Sequence, residues 1–272
     1  MEFSPLFMTS QDYARLIRRH ALQMVTEAKA SHIGGALSMA DILAVLYSGV
    51  LRCDPLDPTL PDRDRLILSK GHCCTALYAA LALKGFMPLE ELQTYAQNGS
   101  RLMSHVSHKV PGVEFSTGSL GHGLPFGVGK ALAASRRGLG WKTYVILSDG
   151  ELDEGSNWEA ILFAGHHRLS NLVAVVDFNQ IQSLGAVKDV LDLGDLGAKF
   201  REFGWAATAI DGHDHTALRG AFAQVGDRPL AVIARTVKGR GVSFMENQLG
   251  WHYRNPNRDQ LDAAFKELGF ES

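Results

Sequence analysis

Two polar positions at the ends of apolar runs carry the clearest chemistry in this sequence. Tyr144-Val145-Ile146-Leu147 leads into Ser148-Asp149-Gly150-Glu151, and the run from Leu172 to Val176 leads into Asp177-Phe178-Asn179-Gln180-Ile181. If the two runs are neighbouring strands joined by the helical stretch from Trp158 to His166, Asp149 and Asn179 leave the same sheet edge, although 30 residues separate them. A carboxylate and an amide oxygen are hard donors of the kind that hold Mg2+ or Ca2+, and a small ion that wants about six oxygens is usually shared with phosphate. The spacing therefore points to a metal–diphosphate ligand. Gly150 lets backbone approach an anion with no Cβ in the way, and the helix that follows turns its free N–H groups to the same edge. The competing reading is a plain Asp-Gly turn with Asn179 as a cap, and spacing alone does not separate the two.

The elements that must position these residues are short runs followed by glycine or a polar residue: Leu66–Leu68, Tyr144–Leu147, Leu172–Val176, Ala206–Ile210 and Leu230–Ala234. Near-continuous apolar runs mean strands buried on both faces, so the expected fold class is α/β, a doubly wound parallel sheet of about five strands covered by helices on both faces. In such sheets ligands bind at the carboxyl ends of the strands, where Asp149 and Asn179 fall. Helix signals frame the sheet. Ser38 with Asp41 reads as a capping box opening a helix to Tyr47, Pro88 opens a helix closing at Asn98-Gly99, and Asn257 with Gln260 caps a last helix ending at Gly269. No linker or repeat divides the 272 residues, so a single domain is expected.

Composition removes several function classes. Lys and Arg number 27 against 29 Asp and Glu, without a basic run, which argues against a nucleic-acid partner. No apolar run approaches the roughly 18 residues needed to span a bilayer, and Met1-Glu2-Phe3-Ser4-Pro5 lacks the pattern of a signal peptide, so no membrane association and a cytoplasmic location are expected. Three cysteines, Cys73 and Cys74 adjacent, suggest reduced thiols in a helix rather than a disulfide or zinc site. Gly127-Val128-Gly129-Lys130 fails the phosphate-loop spacing, because Leu124 stands at the first glycine position and Ala131 at the Ser/Thr position, and reads as helix packing.

The segment from Ser148 to Ala160, closed by Asn179, resembles the thiamine diphosphate signature, and its neighbours narrow the resemblance to the transketolases. Ser31-His32-Ile33-Gly34-Gly35 is similar to that family's early Gly-His-Pro-Gly-Gly, and Ser69-Lys70-Gly71-His72 matches its Ser-Lys-Gly-His. Pro111-Gly112-Val113-Glu114 through Thr117-Gly118-Ser119-Leu120-Gly121 and Lys238-Gly239-Arg240-Gly241 through Gly250-Trp251-His252 follow in the family's order. The resemblance implies thiamine diphosphate and Mg2+ as cofactors, with Ca2+ or Mn2+ as substitutes. It makes Asp149, the Asn179 side chain and the Ile181 carbonyl the metal ligands, and Gly150 a backbone contact to the diphosphate. Gly118 and Leu120 would lie along the cofactor rings. His32, His72, His105 and His252 match active-site histidines, His72 also touching cofactor, and their ordinary pKa near 6.5 suits proton transfer. Glu154 matches a carboxylate at a subunit interface. His166, His167, His213 and His215 fall outside these motifs and read as solvated or capping residues.

A whole transketolase carries about two further domains, among them the pyrimidine-binding domain with the glutamate that helps to deprotonate the cofactor. The resemblance is therefore to the amino-terminal subunit of a split transketolase, acting with a separate carboxy-terminal subunit, as α2β2, on a ketose donor and an aldose acceptor. Three positions depart from the pattern: Ser148 for Gly, His122 for Gln and Ile33 for Pro. His122 and Ile33 are expected near the pocket, which puts the usual pentose phosphate substrate in doubt. The rival readings are the α subunit of another thiamine diphosphate enzyme, of 2-oxo acid dehydrogenase or deoxyxylulose phosphate synthase type, and a non-catalytic cofactor-binding relic.

Overall fold

The computed structural model describes residues 8–271. Strands β1 (Arg65–Leu68), β2 (Thr143–Ser148) and β3 (Leu172–Phe178) are followed by a two-stranded antiparallel hairpin, β4 (Ile181–Gln182) and β5 (Gly185–Ala186), and then by β6 (Ala206–Asp211) and β7 (Leu230–Arg235). The five longer strands form one sheet in the order β1-β2-β3-β7-β6, every pair parallel. Alternation along β2 divides the core. Tyr144 and Ile146 join the apolar cluster built with α1 (Ser10–Ala28), α2 (Ile33–Ser38), α3 (Ala40–Val45) and α4 (Cys74–Lys84), while Val145 and Leu147 face α5 (Gly123–Arg136), α6 (Gly155–His166) and α8 (Leu196–Glu202). Successive side chains point to opposite faces of a strand, so a strand apolar at every position must be covered twice. The remaining helices are α7 (Val187–Val190), α9 (His215–Phe222) and α10 (Arg258–Glu267).

The α/β fold and all five strands are where the sequence placed them, with one difference. In β6, Ala206, Ala209 and Asp211 are exposed. This strand pairs with β7 alone and is a sheet edge, and its small alanines cover less area than the Val, Ile and Leu of the central strands.

Two helix signals do not form as expected, one lost to tertiary partners and one to local backbone. Ser38 and Asp41 make no capping box, because α2 ends at Ser38 and α3 starts two residues later with no side-chain cap. The Ser38 hydroxyl instead donates to Asp177 at 2.6 Å, with the Gly35 carbonyl 3.0 Å away, and the Asp41 carboxylate is taken by Arg18, His213 and His215. Charged buried partners outweigh a backbone cap. Pro88 opens only a 3-10 turn over Leu89–Thr94, and Ala96, at φ 58, breaks the helical path before Asn98-Gly99. The Asn257/Gln260 capping box does form at the start of α10, and the chain turns at Gly269 with φ 76. The three cysteines are free thiols, Cys73 and Cys74 buried, and Gly127 packs α5 tightly on Val145 of β2.

Candidate functional site

β2 and β3 end side by side, Ser148 in register with Asp177, so Asp149 and Asn179 leave the same edge of the sheet. Asp149 is 1% exposed. Its Oδ1 accepts the Gly150 N–H at 2.9 Å and its Oδ2 accepts that of Gln180. Asn179 is oriented by its neighbours: Nδ2 donates to Asp177 at 3.3 Å, which leaves Oδ1 facing the loop, where it accepts the Ile181 N–H at 3.2 Å. A Cβ on Gly150 would stand 2.7 Å from the Gln182 Cβ, so the glycine is also what lets the β4–β5 hairpin close on the end of β2.

The electrostatics of this edge favour a cation. Burial, with repulsion from Asp177, pushes the Asp149 carboxyl up to about 6. A carboxylate held so far out of water is stabilised as an anion by a metal. Among the described residues no three His, Cys, Asp or Glu side chains are grouped as a metal site. The Asp149 carboxylate, the Asn179 amide oxygen and the Ile181 carbonyl are hard donors at one edge, and Mg2+ would need its remaining oxygens from elsewhere, as it does when shared with phosphate. The Asp149 and Asn179 oxygens fit such an ion, and the Ile181 carbonyl, which accepts from the Lys238 amine at 2.7 Å, would join them with that amine turned to the phosphate.

These groups line a cavity of about 220 Å³ that also receives all four motif histidines. His32 caps α2 in the left-handed region at φ 71, its N–H held by the His252 carbonyl at 3.0 Å. The ring centroid of His32 lies 5.1 Å from His72, 5.8 Å from His105 and 4.8 Å from His252, and its buried Nδ1 has no hydrogen-bond partner. Gly118 lets His105 approach, since a Cβ there would be 3.2 Å from the ring. Leu120, Gly118 and Gly150 complete that side of the wall.

All four imidazoles are harder to protonate than an ordinary histidine. Burial lowers His32 to about 4 and His252 to about 3, assisted by neighbouring imidazoles and Lys238. His72 is driven well down by burial and by Lys70, and His105 is lowered by burial. The ordinary value near 6.5 expected from sequence therefore does not hold here; the rings are neutral near pH 7, each able to donate at one nitrogen and accept at the other. A stability effect follows. Above 6.5 the contribution is full, and as pH falls toward about 4 the unfolded chain gains protons that folded His32 refuses, so stability is lost across that window. The Tm of His32→Asn, a residue that tolerates the left-handed backbone, should decline less steeply on acidification over that window than that of the unmodified chain. Equal slopes would contradict the assigned shift.

Two cations in the wall carry no role in the sequence reading. Lys70 is fully buried and paired with Asp177, which outweighs burial and keeps the amine protonated; Ser38 and Thr236 donate to the same carboxylate. Lys238 donates to the Ile181 carbonyl at 2.7 Å and stands 3.4 Å from His252 Nδ1, and burial, then Lys70, lowers its pKa. The available signal was position: each Lys-Gly pair comes two or three residues after the end of a parallel strand, where this fold places ligands. Glu151 was missed too. Its buried carboxylate accepts from Ser69, from the Gly121 N–H at 3.0 Å and from the Ser148 N–H at 3.2 Å, tying three wall segments together.

Other expectations require correction. Ile33 is fully buried in the core and His122 is exposed, and neither lines the cavity. Both are carried past it, Ile33 by the first turn of α2 and His122 by the turn before α5. His166 and His167 are exposed as expected, but His213 and His215 are not solvated: both bind the buried Asp41 carboxylate, at 2.6 and 3.0 Å. Glu154, by contrast, is exposed at the start of α6, outside the cavity, its stem packed on Gly121, on surface open to the subunit interface that the resemblance implies.

Comparison with known proteins agrees with this arrangement. Residues 9–272 match the family described as transketolase, thiamine diphosphate binding domain. The 6-deoxy-6-sulfo-D-fructose transketolase subunit SqwG of Clostridium sp. (strain MSTE9) is 41% identical over 95% of this chain and 95% of its own length. An apulose-4-phosphate transketolase subunit from Actinobacillus succinogenes is 42% identical over 94% of each. The crystal structure of transketolase from Campylobacter jejuni superimposes with a TM-score of 0.92 at 31% identity, over 100% of this chain and 44% of that one. The chain thus spans less than half of that transketolase but nearly all of the two subunits. It belongs to the transketolase family, as a transferase subunit built on the family's thiamine diphosphate-binding domain.

Proposed function

We propose that this chain forms the diphosphate-binding half of a transketolase active site and, with a separate carboxy-terminal subunit carrying the pyrimidine-binding domain, transfers a two-carbon ketol unit from a ketose to an aldehyde acceptor. The observation that carries the proposal is the convergence in one cavity of the Asp149, Asn179 and Ile181 oxygens, the Lys238 ammonium and four neutral imidazoles. Asp149, Asn179 and the Ile181 carbonyl would hold Mg2+, for which Ca2+ or Mn2+ could substitute. Gly150 would meet the diphosphate, and Gly118 and Leu120 the rings of the cofactor. When bound, thiamine diphosphate supplies the nucleophilic carbon and the electron sink that cleavage beside a ketose carbonyl requires.

The chain's own contribution is orientation and proton handling. His32, His72, His105 and His252 face one space from four different segments, and a neutral imidazole can hand a proton to a developing alkoxide or take one from a substrate hydroxyl. Lys238 places positive charge where the diphosphate is proposed. Glu154, outside the cavity and exposed, is suited to the interface with a second protomer of an α2β2 assembly. The three free thiols support a cytoplasmic location, and among the described residues no helix is long and apolar enough to cross a membrane. The two relatives above are named for a sulfonated and a phosphorylated sugar. For this chain the proposal stops at ketose and aldose.

The test is division of labour. The purified chain with saturating thiamine diphosphate and Mg2+ should show no ketol transfer, and adding the partner subunit should restore it. Full activity in a preparation shown by mass spectrometry to contain this chain alone would overturn the proposal.

A further inference from the structure

His213, in the turn between β6 and α9, uses both ring nitrogens. Nε2 accepts the Val237 N–H at 2.9 Å, so the ring proton sits on Nδ1, which donates to Asp41 at 2.6 Å. The same carboxylate is held by Arg18 from α1 and by His215 from α9, at 3.0 Å, while His215 Nδ1 meets the Ser10 hydroxyl at 2.7 Å. These partners draw the Asp41 carboxyl far below the carboxylate range despite its burial and fix it as an anion. His213 is therefore clamped in one tautomer and one orientation.

The recipient of this clamp lies beside the cavity. β7 ends at Arg235, and the Thr236 N–H still finds a partner across the sheet in the Phe178 carbonyl, at 3.1 Å. One residue later the strand partner has run out, and the Val237 N–H is satisfied by His213. Val237 directly precedes Lys238, whose amine reaches the Ile181 carbonyl at 2.7 Å.

We propose that His213, locked by Asp41, is a positioning residue that acts through the Val237 amide to place the Lys238 ammonium at the cofactor edge. This rests on the proposed diphosphate site. A part-buried N–H without an acceptor is costly, so loss of the imidazole acceptor should let the segment after β7 shift until water or another group satisfies it. The lysine would shift with it.

Two substitutions separate this role from general packing. Glutamine is long enough to put an acceptor where Nε2 stands; asparagine reaches only the Nδ1 position and can serve Asp41 alone. In the assembled complex, His213→Asn should raise the Mg2+-dependent Kd for thiamine diphosphate about tenfold, the size expected for one uncompensated hydrogen bond, and speed hydrogen exchange at the Val237 amide. His213→Gln should keep both close to the unmodified complex, even where its Tm falls as far as that of the asparagine variant. Equal Kd values for the two variants, or unchanged exchange at Val237 in His213→Asn, would overturn the proposal. Should His213→Asn not fold, exchange at Val237 in His213→Gln decides alone: retained protection supports the relay and lost protection contradicts it. An unmodified complex that binds no thiamine diphosphate would instead remove the site reading, and the cofactor half of this proposal with it, while the exchange comparison would still report on the His213–Val237 bond.

Discussion

His72→Ala and His252→Ala should each lower ketol-transfer turnover of the reconstituted enzyme by about 10²-fold or more, the usual cost of losing a positioned proton-transfer or charge-stabilising group. The two rings stand 5.8 Å apart and both pack against His32, at 5.1 and 4.8 Å, so the three rings form a triangle in the cavity wall. Each is kept neutral by burial and by the adjacent lysines, so each presents one donor and one acceptor near pH 7. Neither is proposed as a metal ligand, so Mg2+ affinity should change little. His166→Ala is the matched control, because that ring is exposed at the end of α6 and should retain normal turnover. His213 cannot serve as a second control, since it is bonded both to Asp41 and to the backbone beside Lys238. Steady-state kinetics with thermal unfolding of each variant checks the prediction; turnover in both variants equal to that of His166→Ala would mean that other groups polarise the reacting carbonyl.

The second large effect is expected at Asp149. Asp149→Asn preserves shape, but its amide oxygen can accept only one of the two backbone N–H groups that the carboxylate holds, and the only carboxylate of the proposed donor set is gone. A small divalent ion depends on that charge, so Mg2+ and thiamine diphosphate should lose affinity together by about 10²-fold, comparable to the cost of disrupting a close charge pair in a buried site. The fold should survive, because the relief of a buried ionised carboxyl offsets the one backbone hydrogen bond that the amide loses. Calorimetry on the assembled complex, titrating cofactor with and without Mg2+, reads the effect. Cofactor affinity unchanged by the substitution would return Asp149-Gly150 to the plain turn that its spacing also allowed.

The parts of the site readable from sequence share a physical cause. Leu172–Val176 and Tyr144–Leu147 are apolar at every position because both sheet faces are covered, and that pattern alone implied parallel neighbours whose ends would bring Asp149 and Asn179 together. The Asn257/Gln260 cap was equally local and formed as expected. What was not legible depended on partners distant in the chain. Ser38 and Asp41 have the right spacing for a cap, yet one is claimed by Asp177 and the other by Arg18, His213 and His215. The downward pKa of His72 depends on its burial and then on Lys70, His32, His252 and Lys238 meeting it in space, which no single segment encodes. Lys238 looked like one member of a glycine-rich motif, and its contact with Ile181 spans 57 residues. Ile33 shows the reverse failure, a departure that looked important and is buried in the core.

The central claim is that Asp149, Asn179 and the Ile181 carbonyl form a metal–diphosphate site that this chain contributes to a shared active centre. A crystal structure of the complex with its partner subunit, grown with thiamine diphosphate and with Mn2+ in place of Mg2+, tests it most directly through the anomalous signal of the manganese. The account predicts one strong peak per copy of this chain, bounded by the Asp149 carboxylate, the Asn179 amide oxygen and the Ile181 carbonyl, with the diphosphate between the metal and Lys238. Cofactor density with its metal peak on the partner subunit, or a peak whose protein ligands exclude Asp149, would contradict it.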